Sequence, residues 1–267
     1  MILTEQLSEE LKQKYNPEGS VLRKSQMRML DMLIFIDKVC NENHLTYWIE
    51  GGTLLGSFRH NGFIPWDDDA DLCMPYHDAE AFKKIMIERK YDTDYVLQCH
   101  ETDKGYFGSW YILRDPKTEY LQNSKLHNKR EFRGVQVDLF IVEDRVCAPF
   151  FSFLRQFQRL IDKPLYIFDS LHFACFLSKP LYCIMHRILI PLFRKISPVR
   201  NYYRMPYGSI WNYPLPKKSI YPLSRHCFEG YNLAVPGDAE SYLEVLYEDW
   251  KQLPDNVQTH KVEILFK

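Results

Sequence analysis

The sequence predicts an α/β (α+β) fold, a small mixed sheet flanked by helices and interrupted by a helical insertion. Three observations carry this. Helical and extended periodicities alternate from Ser25 to about Met86. A nearly continuous apolar run, Gly134 to Val142, reads as a buried strand. After Cys147 the alternation gives way to a stretch rich in Phe, Leu and Ile, broken by Pro164, Pro180 and Pro191. The 267 residues suffice for one large or two small domains. They divide into an extension (1–24), an α/β core (25–146), a helical insertion or cap (147–200) and a C-terminal element packing back on the core (201–267).

Taken in order, Ser25 to Asn43 reads as a helix, with Met27, Leu30, Leu33, Ile34 and Cys40 near helical spacing. Thr46 to Ile49 is a short strand feeding the turn Gly51-Gly52. Thr53 to His60 is a short helix, and Asn61-Gly62 ends it. Ala70 to Met74 is a strand, and His77-Asp78 opens another helix. Tyr95–Gln98 and Trp110–Arg114 are further strands, followed by the strand at 134–142. Residues 201–222 read as loop, and Asp238 as the N-cap of a last helix.

Composition excludes several classes. Net charge is −1, so nothing global favours nucleic acid. Seven cysteines without a Cys-x-x-Cys pair do not form a disulfide framework, and a reducing cytoplasm is expected. The polar N-terminus lacks the apolar centre of a secretory signal. No apolar run reads as long enough to span a bilayer. The insertion is basic and apolar together. The favoured reading is a helical cap on the core; the competing one is an amphipathic surface resting on the inner leaflet through 147–198. His172, Cys175, Cys183 and His186 have zinc-type spacing, but their apolar flanks favour core packing.

The chemistry concentrates between Tyr47 and Met74, YWIEGGTLLGSFRHNGFIPWDDDADLCM. Asp67, Asp68, Asp69 and Asp71 put four carboxylates in five positions, boxed between Ile64-Pro65-Trp66 and Leu72-Cys73-Met74. Like charges repel and desolvation disfavours ionisation, so a divalent cation is the simplest way to keep such a cluster charged. In an extended chain Asp69 and Asp71 share a face, Asp67 joins them if the extension reaches back, and Asp68 points away. The pair is therefore either 67/69 or 69/71. Dense oxygen ligands favour Mg2+ or Mn2+, and Mg2+ usually takes one or two carboxylates plus substrate phosphates. Gly51, Gly52 and Thr53 fit a phosphate-binding turn. A lone Asp138 in a buried strand needs a partner, which a metal or a nearby arginine would supply. Arg59 and Arg114 are candidate phosphate contacts.

The string GGTLLGSFRHNGFIPWDDDADLCM resembles the signature of the LicD family, nucleotidyltransferase-fold proteins that include bacterial phosphocholine transferases and fukutin-related proteins. The apolar-Asp-apolar-Phe run at Asp138 and the segment from Pro222 to Pro254 are similar to later elements of that family. The resemblance implies a nucleotidyltransferase-like core, with Asp69, Asp71 and Asp138 as catalytic metal ligands and Asp67 as a substitute. Gly51, Gly52, Thr53, Arg59, Trp66 and Arg114 would bind a CDP-linked donor. The implied reaction is metal-dependent transfer of a phospho-alcohol, phosphocholine from CDP-choline being favoured, onto a glycan or lipid-linked glycan of teichoic acid, lipopolysaccharide or capsule type. CDP-ribitol or CDP-glycerol donors, or transfer of the nucleotide itself, are the alternatives. A choline head would need aromatic faces, for which Trp48, Trp66, Trp110 and Tyr111 are candidates. Trp211, Tyr213, Lys217 and Lys218 are candidates for the acceptor side.

Overall fold

The computed structural model describes residues 3–121, 124–211, 213–247, 249–254, 256–257 and 263–267. Thr4 caps α1 (Glu5–Tyr15), a helix within the N-terminal extension that no periodicity announced. Ser20 accepts from the amide of Arg23 and opens α2 (Val21–Glu42), several residues before the expected start. The hydroxyl supplies the start signal ahead of the first apolar repeat. Met29, Leu33, Ile36 and Cys40 form the buried stripe of α2.

The next elements are β1 (Trp48–Ile49), α3 (Gly51–His60), β2 (Asp71–Pro75) and α4 (Tyr76–Ile87). Asn61 ends α3 in the left-handed conformation, its N–H donating to Gly56 O. Then come β3 (Val96–Gln98), β4 (Tyr111–Arg114), β5 (Thr118–Tyr120) and β6 (Gln136–Arg145). The central sheet runs β1-β2-β6-β4-β3. Only β2 and β6 are parallel, and the other pairings along this path are antiparallel. The fold is thus the expected mixed α+β architecture. Its main core gathers α2, the sheet and the C-terminal element around Trp48, Leu72 and Leu139.

The insertion is helical, as expected: α5 (Ala148–Ile167), α6 (Leu171–Ile184), a π turn (Met185–Leu189) and α7 (Ile190–Ile196). It has its own small core around Phe151, Leu154, Ile161 and Met185. One expectation is corrected here. Leu171–Ile196 is continuous over 26 residues, long and apolar enough to cross a membrane by length and composition, with 22% of that window buried. Pro180 and Pro191 made the run read as short pieces. The π turn carries the helix on to Pro191, which has no N–H to give the ladder.

The loop expected at 201–222 is also corrected. It holds β7 (Val199–Arg204), β8 (Pro214–Pro216) and α8 (Lys217–Ile220). β7 pairs with the end of β6, and β8 with β7. A neighbouring strand recruits these residues, whose own pattern does not alternate. The chain ends with the hairpin β9 (Ser224–Phe228) and β10 (Tyr231–Val235), α9 (Ala239–Leu246) and β11 (Ile264–Phe266) on β5. Asp238 caps α9 through the Ser241 amide, as expected. Glu229, in the turn of the hairpin, accepts from Arg23 and from the Phe63 amide, so this element locks the end of α3 to α2.

Candidate active site

The register of β2 and β6 makes Asp71 and Asp138 lateral neighbours on adjacent parallel strands. Residues paired this way project from the same face of a sheet. Asp67 and Asp69, on the loop entering β2, line the same cleft of about 840 Å³. Asp68 turns away and accepts from the Tyr120 hydroxyl at 2.9 Å.

Several groups hold the acidic loop in place. Thr53 Oγ1 accepts from the Asp71 amide at 2.9 Å. The fully buried Gln26 donates to the carbonyls of Asp67 (2.9 Å) and Ile64 (3.3 Å), and Asn16 in turn donates to Gln26 Oε1. Trp66 packs edge-on against Tyr15 of α1 and His60 of α3. The extension with α1, together with α2 and α3, thus fixes the loop that carries Asp67 and Asp69.

The two glycines make room for the carboxylates. A Cβ on Gly52 would sit 2.5 Å from Asp67 Oδ2, and one on Gly51 would sit 3.4 Å from Asp71 Oδ2. Gly51 also has a φ of +55°, which suits glycine. Both line the cleft and give room to carboxylates. Thr53 is buried, its hydroxyl spent on Asp71, and it does not line the cleft.

Electrostatics follow from this crowding. Burial first, then Asp69, pushes the Asp67 carboxyl up to about 8. Burial, followed by repulsion from Asp69 and Asp138, holds Asp71 well above the usual carboxylate range. Burial raises Asp138 to about 6, with the Arg114 guanidinium pulling the other way. Among the described residues no group of three or more His, Cys, Asp or Glu side chains is arranged, as it stands, to hold a metal ion. The cleft is an open set of carboxylates.

Arg59 fits its expected place. It lines the cleft, and its Nε and Nη1 donate to His60 and to the carbonyls of Trp250 and Gln252, all neutral partners. Arg114 does not. It is buried behind β6, donating to Gln98 Oε1 and Gly134 O, and it does not reach the cleft. It supplies positive charge beside Asp138, not a contact for substrate phosphate. Trp66 is at the cleft, but Trp48 is core, with Nε1 on Tyr242, and Tyr111 faces elsewhere and donates to Glu80. Lys217 pairs with Asp144, away from the cleft, whereas Trp211 and Tyr213 line it. The zinc-type spacing is packing: His186 stacks on Tyr182, and Cys175 donates to Lys104 O.

Two features escaped the sequence reading. Glu50, fully buried on the cleft wall, accepts from Trp48 and Tyr242, and burial raises it to about 7. It stands in the quoted motif, next to Gly51, but nothing in its spacing distinguishes it. The other is an aromatic cluster. Trp211 lies 5.4 Å from Phe140 and 6.0 Å from Trp110, centroid to centroid. Only folding brings residues so distant in sequence together.

Residues 44–149 match the profile of the LicD/FKTN/FKRP nucleotidyltransferase domain. That stretch, from β1 into the start of α5, is similar to the LicD-type nucleotidyltransferase domain. The lipopolysaccharide cholinephosphotransferase LicD of Haemophilus influenzae is 35% identical over 98 residues, 37% of each chain. An uncharacterised protein of Rickettsia prowazekii is 35% identical over 80 residues, 30% of this chain and 29% of that one. The human ribitol 5-phosphate transferase FKRP is 65% identical over 26 residues, 10% of this chain and 5% of that protein. The matched stretches thus span well under half of these relatives.

Proposed function

We propose that this chain is a metal-dependent transferase that moves a phospho-alcohol from a nucleotide diphosphate donor to a glycan hydroxyl. The observation that carries this is the convergence of Asp67, Asp69, Asp71 and Asp138 on one cleft, with Asp71 and Asp138 side by side across β2 and β6. Buried like charges at this density are costly unless a cation joins them. An all-carboxylate donor set suits Mg2+ or Mn2+, whose remaining positions go to water and phosphate oxygens. The open arrangement fits that habit.

Asp69, Asp71 and Asp138 are the residues that would hold the ion, which when bound neutralises charge on the donor diphosphate. Arg59 presents a guanidinium to the same cleft and orients the diphosphate. The acceptor hydroxyl attacks the phosphorus that bears the alcohol. Its bond to the nucleoside monophosphate breaks, and Asp67 takes the hydroxyl proton. An aromatic wall of exposed Trp211, buried Phe140 and half-buried Tyr213 suits a quaternary ammonium through cation–π attraction. It supports phosphocholine, the cargo named for the Haemophilus relative, over ribitol phosphate.

The test is a thermal-shift series with Mg2+ and CDP-choline, CDP-ribitol, CDP-glycerol, CTP or ATP, followed by product analysis. A ligand of the folded state raises its melting temperature. A metal-dependent shift with CDP-choline, larger than with CTP, supports the reading. A shift with CDP-ribitol alone changes the cargo. A shift with CTP alone, with pyrophosphate released, replaces it with nucleotide transfer.

A further inference from the structure

The helical insertion presents a surface that the cleft chemistry does not use. Along α6, the π turn and α7, Phe173, Phe176, Ile184, Ile188, Leu192 and Ile196 are all exposed, Phe176 at 72%. Pro180 completes the series, so successive members are three or four residues apart and lie on one side of the helix. The opposite side is occupied: Ala174, Ser178, Met185 and Ile190 are buried, and Ser178 donates to Ile161 O on α5. On α5 itself, exposed Phe153, Leu160 and Ile167 recur every seven residues, and Phe153 lies 6.2 Å from Phe193 of α7.

Charge agrees with this patch. Residues 147–200 hold eight Lys and Arg against two Asp, in a chain whose overall charge is −1. Lys179, Arg187 and Lys195 are exposed beside the stripe, at eight-residue intervals. An apolar stripe bordered by cations is the signature of a helix that lies in a membrane interface.

We propose that the insertion docks on an anionic lipid surface through this stripe, lying on the bilayer and not crossing it. A crossing helix would have to leave α5 and pull Arg194 from Glu143, a buried carboxylate on β6. It would also carry Lys179 and Arg187 into hydrocarbon. Docking on the surface keeps every internal contact and places the cations at the level of the lipid phosphates. This goes beyond the transferase reading and stands without it.

The experiment is co-sedimentation of the full chain with phosphatidylcholine vesicles, with or without phosphatidylglycerol, at low and high salt. Pelleted protein is then washed with alkaline carbonate. The proposal expects binding to the anionic vesicles, weakened by salt and released by carbonate. Phe176→Glu with Ile188→Glu should weaken it about tenfold or more at unchanged melting temperature, since both side chains point outward. Lys179→Glu with Lys195→Glu should cost about as much on anionic vesicles. Four outcomes overturn the proposal. They are no sedimentation of the folded chain, unaltered binding by the Phe176 and Ile188 double variant, and retention through carbonate. The fourth is a dimer in solution that the same variant splits, which would make the stripe a self-interface.

Discussion

At Gly52 a single added methyl group should separate activity from stability. Its Cβ would meet the far end of the Asp67 side chain, which can swing aside, and not backbone. Gly52→Ala should therefore leave the melting temperature nearly unchanged while lowering metal-dependent turnover about tenfold or more, as expected when a reacting group is misplaced. Asp71→Asn and Asp138→Asn should each abolish turnover, and both should fold. Each removes one charge from a crowded buried set, so the metal-free variants should melt no lower than the parent. Loss of turnover together with collapse of the fold would instead give these carboxylates a purely structural role.

The acidic cluster also sets a pH dependence at this scale. In the unfolded chain these carboxyls titrate near 3.8, but folding holds Asp138 to about 6 and Asp67 to about 8. The folded state binds more protons between those limits, so stability is fully present below about 3.8 and is lost as pH rises through about 6 to 8. In chelator, the melting temperature should fall across that window, and Asp67→Asn should flatten the slope. Added Mg2+ should restore stability at the alkaline end. A melting temperature that climbs with pH in chelator would contradict the crowding.

Among elements, the link from the N-terminal extension to the acidic loop is the most testable. Gln26 joins Asn16 to the carbonyls of Ile64 and Asp67 through one buried amide. Gln26→Ala leaves two carbonyls and Asn16 without their partner, each unpaired buried group costing about 1–3 kcal/mol. Denaturant unfolding should show a loss of about 2 kcal/mol or more. Hydrogen exchange should rise first in the loop around Asp67. The aromatic wall makes a second case. Trp211→Ala should raise KM for a choline-bearing donor several-fold with little effect on CDP-glycerol, because cation–π attraction is worth about 0.5–2 kcal/mol.

The whole molecule joins three pieces around one strand. β6 carries Asp138 toward the cleft, pairs with β2 and β4 in the central sheet, and extends to meet β7. Its Glu143 holds Arg194 of the helical insertion through a bidentate ion pair. The C-terminal hairpin returns to clamp the end of α3 through Glu229. The two apolar cores follow this division, one under the sheet and one inside the insertion.

The sequence by itself determined the α+β class, the helix, strand, helix, strand order up to Met86, and the strand around Asp138. It did so because these residues announce themselves locally, through period, glycine and proline signals, and a rare density of carboxylates. Asp67, Asp69 and Asp71 stood out in the sequence for the same reason, and in the structure they line one cleft together with Arg59 and Trp66. Tertiary structure decided what depends on distant partners. Arg114 had the right chemistry for phosphate but is spent on Gln98 and Gly134. Thr53 is spent on Asp71. β7 and β8 exist because β6 offers them an edge, and the cluster of Trp110, Phe140 and Trp211 exists because three separate segments meet. A local pattern reports which face of an element is apolar. Which neighbour fills that face, and which hydrogen bonds are already taken, is settled only when the chain closes on itself.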